Sequence, residues 1–342
     1  MIVGGRSSEH SISCISGRAI VAALDPERYD VRVIGIRRDG QWVVVPGLGP
    51  DVVVDSGALP EVSSDARPIT LEQALDVDVV FPVLHGPWGE DGSLQGLLET
   101  LQVCFVGSGV LSSSVAMDKG FMKTLLAAAG LTVTPFVTIS DLRWREDRAG
   151  VLESLGALDL PVFVKPARAG SSLGITKVSR AEDLPKAIEH ARVHDPRVVV
   201  EQGVSGAREI ECGVLADAGG RPEASRCAEI IVRSAHEFYD FDAKYLDDSA
   251  DLIVPADLAP DVEDAIRESA LIAYEALACE GLARVDFFVR PDGGIVVNEV
   301  NTMPGFTGIS MYPRMWMATG LTYPELVDAL VRDALRKGTA LR

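Results

Sequence analysis

Cysteine is scarce in this chain: five residues among 342, at positions 14, 104, 212, 227 and 279, odd in number, scattered, and without a C-x-x-C pair. That usage argues against a disulfide framework and predicts reduced, mostly buried thiols in a cytosolic protein. Positive charge is also short. Thirty-two lysines and arginines against fifty acids leave a net charge of −18. A nucleic-acid partner is therefore disfavoured, because phosphate backbones are held by basic surfaces. No apolar run approaches a membrane span, and the opening MIVGGRSSEH has neither the charged start nor the apolar stretch of a signal peptide. The expectation is a cytoplasmic chain without a membrane partner. No Walker-A G-x-x-x-x-G-K-[ST] occurs, which disfavours the P-loop ATPases. Gly107-Ser108-Gly109 is too short to count as a dinucleotide fingerprint. Repeats and low-complexity segments are missing too.

What is present alternates. A short opening strand and a Gly4-Gly5 turn lead into a helix with Ile12, Ile15, Ala19 and Ala22 on its apolar stripe. Strand signals follow at YDVRVIGI, WVVV, VDVVFPVLHG and VCFVGSG, with the helical SLQGLLETLQ between the last two. Strands alternating with helices imply a parallel sheet with ligands at its carboxyl ends, where Glu9 and His85 would lie. A second unit opens near 108 with one helix, SVAMDKGFMKTLLAAAG, ended by Gly130, in which Lys119 and Lys123 could form a solvated face. The strands PVFVK and GITKV follow, joined by PARAGSSL, whose glycines and serines can present N–H groups to an anion. In the third unit RSAHEFYDFDAKYLDDSAD shows no period over a length that suits a lid.

The chemistry concentrates in one hairpin. ARVDFFVR and GIVVNEVN are strand-like, and PDGG between them is a turn signal. A turn centred on Asp292 and Gly293 sets Asp286 opposite Glu299 and Arg284 opposite Asn301. Residues two apart share a face, so four polar groups converge with two acids opposed. Opposed carboxylates repel unless a cation or proton sits between them. Oxygen-only ligands that leave room for phosphates suit Mg²⁺, and the expectation is a Mg²⁺–nucleotide site.

Taken in order, GGRSSEHSIS, FPVLHGPWGEDGSLQGLLE, VGSGVLSSSVAMDKGFMK, VKPARAGSSLGI, REIECGVL, EFYDFDAKYL and GLARVDFFV with VVNEVNTMPGFTGIS cover nearly the whole chain. With these motifs it resembles the ATP-grasp enzymes and, within them, the D-alanine–D-alanine ligase family. The resemblance implies an α/β protein, α+β towards the C-terminus, with an ATP-grasp fold preceded by a Rossmann-like domain. It divides the chain into 1–107, a substrate domain; 108–200, the central ATP-grasp part; and 201–342, with the lid at 233–251 and the metal site. The implied activity is ATP-dependent joining of two D-alanines through an acylphosphate, for peptidoglycan precursor synthesis. Carried over by motif, Lys119, Lys165 and Ser172 would bind the ATP phosphates, Glu201 the adenine and Glu209 the ribose. Asp286, Glu299 and Asn301 would ligate two Mg²⁺ ions, replaceable by Mn²⁺, and a monovalent cation is a further possibility. Arg284 and the N–H of Gly305 would stabilise the oxyanion. Glu9 and His85 would hold the first alanine, and Ser310 and Met311 the second alanine's carboxylate. Lys244 and Tyr245 would sit on the lid, with Tyr245 linked to Ser171 and Glu9. A homodimer is usual among such relatives. Two other readings are a D-alanine–D-lactate ligase and a catalytically silent ATP-binding protein.

Overall fold

The computed structural model describes residues 1–45, 59–232 and 250–339. The expected lid falls outside the described residues but for its last two positions, and Lys244 and Tyr245 fall outside with it.

Three sheets organise the chain. In the first, β1 (Ile2–Gly4) runs parallel to β2 (Ile34–Ile36), and β3 (Trp42–Val44) is antiparallel to β2. On its other side Ile2 bridges Pro82, and Val80 bridges Phe105, both in parallel. The expected parallel arrangement is therefore there, although its two later members meet as single bridges. The turn after β1 needs glycine: Gly4 has φ +91, and a Cβ would stand 2.5 Å from the Ile36 carbonyl oxygen. The helix His10–Ala23 starts from this turn.

The second sheet is antiparallel, with β4 (Phe136–Ile139), β5 (Val162–Pro166), β6 (Thr176–Val178) and β7 (Val198–Gln202) in the order β4-β7-β5-β6. Its alternating apolar residues Val162, Val164, Val198 and Val200 pack with Trp144, Val151 and Ile188 from flanking helices. The expected boundary between residues 200 and 201 falls inside β7, so Glu201 belongs to this sheet.

The third sheet joins β8 (Arg208–Ala216), β9 (Pro222–Val232), β10 (Ala250–Ile253), β11 (Leu282–Val289) and β12 (Ile295–Asn301) in the order β10-β9-β8-β11-β12. Its apolar face buries Ile210, Cys212, Val285 and Phe287 against the helix Pro260–Ala276, and also against Ala116, Met122 and Leu126. The last three come from the segment expected to form one helix. That segment is two helices, Val110–Met117 and Lys119–Ala128. Asp118 divides them because its carboxylate accepts from the N–H groups of Gly120 and Phe121, at 3.0 and 3.1 Å, and so caps the second. The final helices, Met311–Thr319 and Tyr323–Lys337, bring Tyr312, Trp316, Leu326 and Leu330 against Phe81, Val83 and Val106 of the first unit. One apolar cluster thereby ties the two ends of the chain together. The five cysteines are buried and unpaired with one another as disulfides.

Candidate active site

All three sheets open onto one cavity of about 560 Å³, in the range of small-molecule and cofactor sites. Its floor is the β11–β12 hairpin. Asp286 stands opposite Glu299 and Arg284 opposite Asn301, as the sequence predicts. The route to that register differs. The turn is a three-residue loop, Pro291 to Gly293, closed by Arg290 and Gly294, with Gly293 at φ +82 in the left-handed region. Three pairs further along, the ladder slips: Phe287 pairs with Val297 but Asp286 with Glu299, which leaves Asn298 as the extra residue of a bulge. Turn and bulge each displace the pairing by one residue, and the displacements cancel at the site.

The opposed acids are not left to repel each other. Arg284 donates from Nε to Asp286 Oδ1 and from Nη2 to Oδ2, both at 2.7 Å, and Asn301 Nδ2 donates to the same Oδ2 at 3.2 Å. Burial works against the charge on Arg284, but Asp286, Glu211 and Glu299 outweigh it and keep the guanidinium charged. Glu211 escaped the sequence reading. It lies on β8 directly opposite Asp286, with Oε1 3.3 Å from Arg284 Nε. The available signal was alternation: Glu209 and Glu211, two apart in REIECGVL, share a face.

On β7, Glu201 is clamped between two lysines. Lys123 Nζ is 3.1 Å from its Oε2, and Lys165 Nζ bonds its Oε1. Burial alone would raise the Glu201 pKa, yet Lys123 and Lys165 hold it down at about 2. Lys123 is 1% exposed and also donates to Thr134 Oγ1 at 3.1 Å. The alternative of a solvated helix face for Lys119 and Lys123 does not hold: both point inward, because the apolar side of their helix lies on the third sheet. Lys119 Nζ donates to the Ala169 carbonyl at 2.8 Å, and burial depresses its pKa, opposed by Glu299. Glu209 lines the cavity from β8, and Ser172 from the glycine-serine loop. In that loop Ser171 and Ser172 have φ of +49 and +58, uncommon for residues with a Cβ.

Towards the first sheet, Ser171 Oγ donates to Glu9 Oε1 at 2.5 Å. Glu9 threads between two glycines: a Cβ on Gly86 or Gly170 would come within 2.6 or 2.7 Å of its Oε2. His85 is buried, its Nδ1 3.0 Å from the Met303 carbonyl oxygen, so Nδ1 carries the hydrogen. Burial lowers its pKa, against the pull of Glu9, and the ring is neutral. Glu90, from GPWGEDG, is a second residue that was not predicted. Its Oε1 accepts from the Gly86 N–H at 2.9 Å, and burial, aided by Glu9, pushes its pKa up to about 8. Gly305, Ser310 and Met311 line the remaining wall. Ser310 Oγ accepts from the Thr307 N–H at 2.9 Å and precedes the helix that begins at Met311.

The hairpin face suits a hard cation. Asp286, Glu299 and Asn301 present only oxygen donors and lie together on one face, with the cavity open above them for phosphates and water. Among the described residues no three histidine, cysteine, aspartate or glutamate side chains form a ready-made cage. Such a set suits Mg²⁺ shared with a substrate better than a closed structural metal.

Two family models match: the D-ala D-ala ligase N-terminus over residues 1–108 and the D-ala D-ala ligase C-terminus over residues 125–332. The D-alanine–D-alanine ligase of Kineococcus radiotolerans is 52% identical over 368 aligned residues, covering 100% of this chain and 97% of the relative. That of Mycobacterium ulcerans is 50% identical over 365 residues, covering 100% of this chain and 96% of the relative. Among solved structures, the D-alanine-D-alanine ligase from Coxiella burnetii superposes with a TM-score of 0.81 at 36% identity, over 98% of this chain and 93% of that one. The VanG D-Ala:D-Ser ligase from Enterococcus faecalis also gives 0.81, at 38% identity, over 97% of this chain and 98% of that one.

Proposed function

We infer the working of the cavity from one premise: the chain belongs to the D-alanine–D-alanine ligase family. It is an ATP-dependent ligase with an ATP-grasp fold that joins two D-alanine molecules for peptidoglycan precursor synthesis. The carboxylate of one D-alanine takes the γ-phosphoryl of ATP to give an acylphosphate. The amine of the second attacks its carbonyl carbon, a proton leaves the nitrogen, and phosphate departs as the peptide bond forms.

The proposal assigns these steps to residues. Lys119, Lys165 and Ser172 take the phosphates, Glu201 the adenine and Glu209 the ribose. Asp286, Glu299 and Asn301 would hold two Mg²⁺ ions, or Mn²⁺ in their place, and the bound ions would supply charge to offset that of the phosphates. Glu9, aligned by Ser171, and neutral His85 hold the first D-alanine. Ser310 and the helix start at Met311 receive the carboxylate of the second. Arg284 and the Gly305 N–H stabilise the tetrahedral oxyanion, a term worth roughly 10²–10³ in rate per donor. The observation that carries this reading is the single polar face of the β11–β12 hairpin, where a guanidinium and two opposed acids meet beside the nucleotide lysines. The assembly as a homodimer and residence in the cytoplasm are proposed on the family's habit; sedimentation of the purified protein tests the first.

A second acceptor is raised by the superposition on a D-Ala:D-Ser ligase. Product analysis with ATP, Mg²⁺ and equal D-alanine, D-serine and D-lactate decides among them. D-alanyl-D-alanine is the expected product at neutral pH. A majority of either other product overturns the acceptor assignment, and ATP cleavage independent of D-alanine overturns the ligase reading.

A further inference from the structure

Arg284 has a difficulty that the family assignment leaves open. Both oxygens of Asp286 are engaged by Arg284, one on Nε and one on Nη2. On the reading proposed above, on which this inference rests, Asp286 also ligates the cation. Each carboxylate oxygen keeps a second lone pair, as Oδ2 shows by accepting from Arg284 and Asn301 together, but a cation that shares Asp286 draws on its charge and weakens both bonds to the guanidinium. Arg284 is only partly exposed, its side chain 17%, so a weakened partner is not freely replaced by water. It would swing, and an oxyanion donor that swings is of little use.

One other carboxylate lies within 4 Å of it among the described residues. Glu211 Oε1 is 3.3 Å from Arg284 Nε, and its side chain is 7% exposed. It sits on the far side of Asp286 from Glu299, since β11 runs between β8 and β12 and the three acids occupy facing positions across the strands. The position facing Arg284 on β8 is Gly213, where a Cβ would stand 3.0 Å from Trp316 Nε1. No side chain from that position competes for the guanidinium, and Glu211 is the anion on that flank.

We propose that Glu211 is the positioning residue of Arg284: it retains the guanidinium when the cation takes Asp286, so that charge neutralisation at the phosphates and charge stabilisation at the oxyanion coexist on adjacent residues. The arrangement separates two demands on one strand. Asp286 can turn towards the metal because Glu211 stays with the arginine.

The test is a double-mutant cycle between Glu211→Gln and Arg284→Met, read in two ways. The first reading is steady-state kinetics. Glu211→Gln is expected to lower kcat roughly tenfold, as a mis-aimed donor does, while KM for ATP stays within about twofold. In the Arg284→Met background it is expected to lower kcat no further. The second reading needs no turnover: Mn²⁺ titrated into protein with ADP and followed by electron paramagnetic resonance. Glu211→Gln is expected to weaken Mn²⁺ several-fold, because Arg284 then competes for Asp286 undivided, and to change it less than twofold once Arg284 is methionine. Equal weakening in both backgrounds would show that Glu211 acts on the cation directly and overturn the proposal. Additive losses in kcat that track a fall in Tm would overturn it in favour of a structural role. If wild type itself fails to bind Mn²⁺ with ADP, the metal assignment has failed. If wild type binds and the cycle is additive, only the role of Glu211 has.

Discussion

Glu299 and Glu90 are both acids in the same cavity, and the structure predicts opposite uses of their charge. Glu299 faces Asp286, whose own charge is already met by Arg284 and Asn301. Glu299→Gln should therefore leave Tm unchanged or raised in metal-free buffer while ligation collapses; near-normal turnover by that variant would remove Glu299 from the metal site. Glu90 has a pKa pushed up from 4.5 to about 8 by burial and by Glu9. A carboxyl raised on folding binds its proton more tightly folded than unfolded, so its contribution is fully present below pH about 4.5 and is lost as pH rises towards about 8. Glu90→Gln, which is neutral throughout, should match wild type near pH 5 and exceed its Tm increasingly up to pH 8, measured without metal or substrate. Parallel Tm curves would show that Glu90 carries no such proton. Neither the role of Glu90 nor that of Glu211 was legible from the sequence, although alternation with Glu209 marked the face of Glu211, and the reason is physical. Their roles come from charges brought by other strands and loops, whereas Asp286 and Glu299 could be paired from one local hairpin. Lys123 was left open for the same reason: its partner Glu201 is on the strand Val198–Gln202, far along the chain.

At the scale of elements, local chemistry was a good guide wherever it had a single outcome. Alternation placed β11 and β12, and Gly130, at φ +87, closes its helix as expected. The hairpin turn was read one residue short, and the bulge at Asn298 was not foreseen, since asparagine within a strand leaves no unique mark. Asp118 shows the same ambiguity, because an aspartate amid helix formers can be an interior residue or a cap. Here it caps the helix that starts at Lys119 and also pairs with Arg197, its Oδ2 2.9 Å from Nε. Asp118→Ala should cost about 1 kcal/mol from the cap, with more from the ion pair, and raise KM for ATP by loosening Lys119. Asp118→Asn keeps a capping oxygen and should recover the cap's share of Tm. If the two variants melt alike, the ion pair and not the cap sets the boundary.

On the scale of the whole molecule, the parallel pairing in the first sheet and the antiparallel β11–β12 hairpin of the third could be anticipated, because element order is a property of the chain. How the units meet could not. The helices Met311–Thr319 and Tyr323–Lys337 bury Tyr312, Trp316 and Leu330 on Phe81, Val83 and Val106. Residues 1–107 alone would leave that surface bare, so they should not fold in isolation, and calorimetry of the full chain should show residues 1–107 and the third sheet melting in one transition. Two resolved transitions, with ATP shifting only the later, would contradict the shared core. The links Ser171–Glu9 and His85–Met303 cross between units right at the cavity. Anything bound there clasps separate parts of the chain at once and stabilises all of them by mass action. Survival of the protein in a cell is then coupled to its own supply of substrate: D-alanine shortage would enlarge the fraction open to proteases, and ligase abundance would fall along with the pool it consumes. Pulse-chase decay with and without added D-alanine, in wild type and in Glu9→Gln, measures that coupling. Equal half-lives in all four cases would show that turnover ignores occupancy.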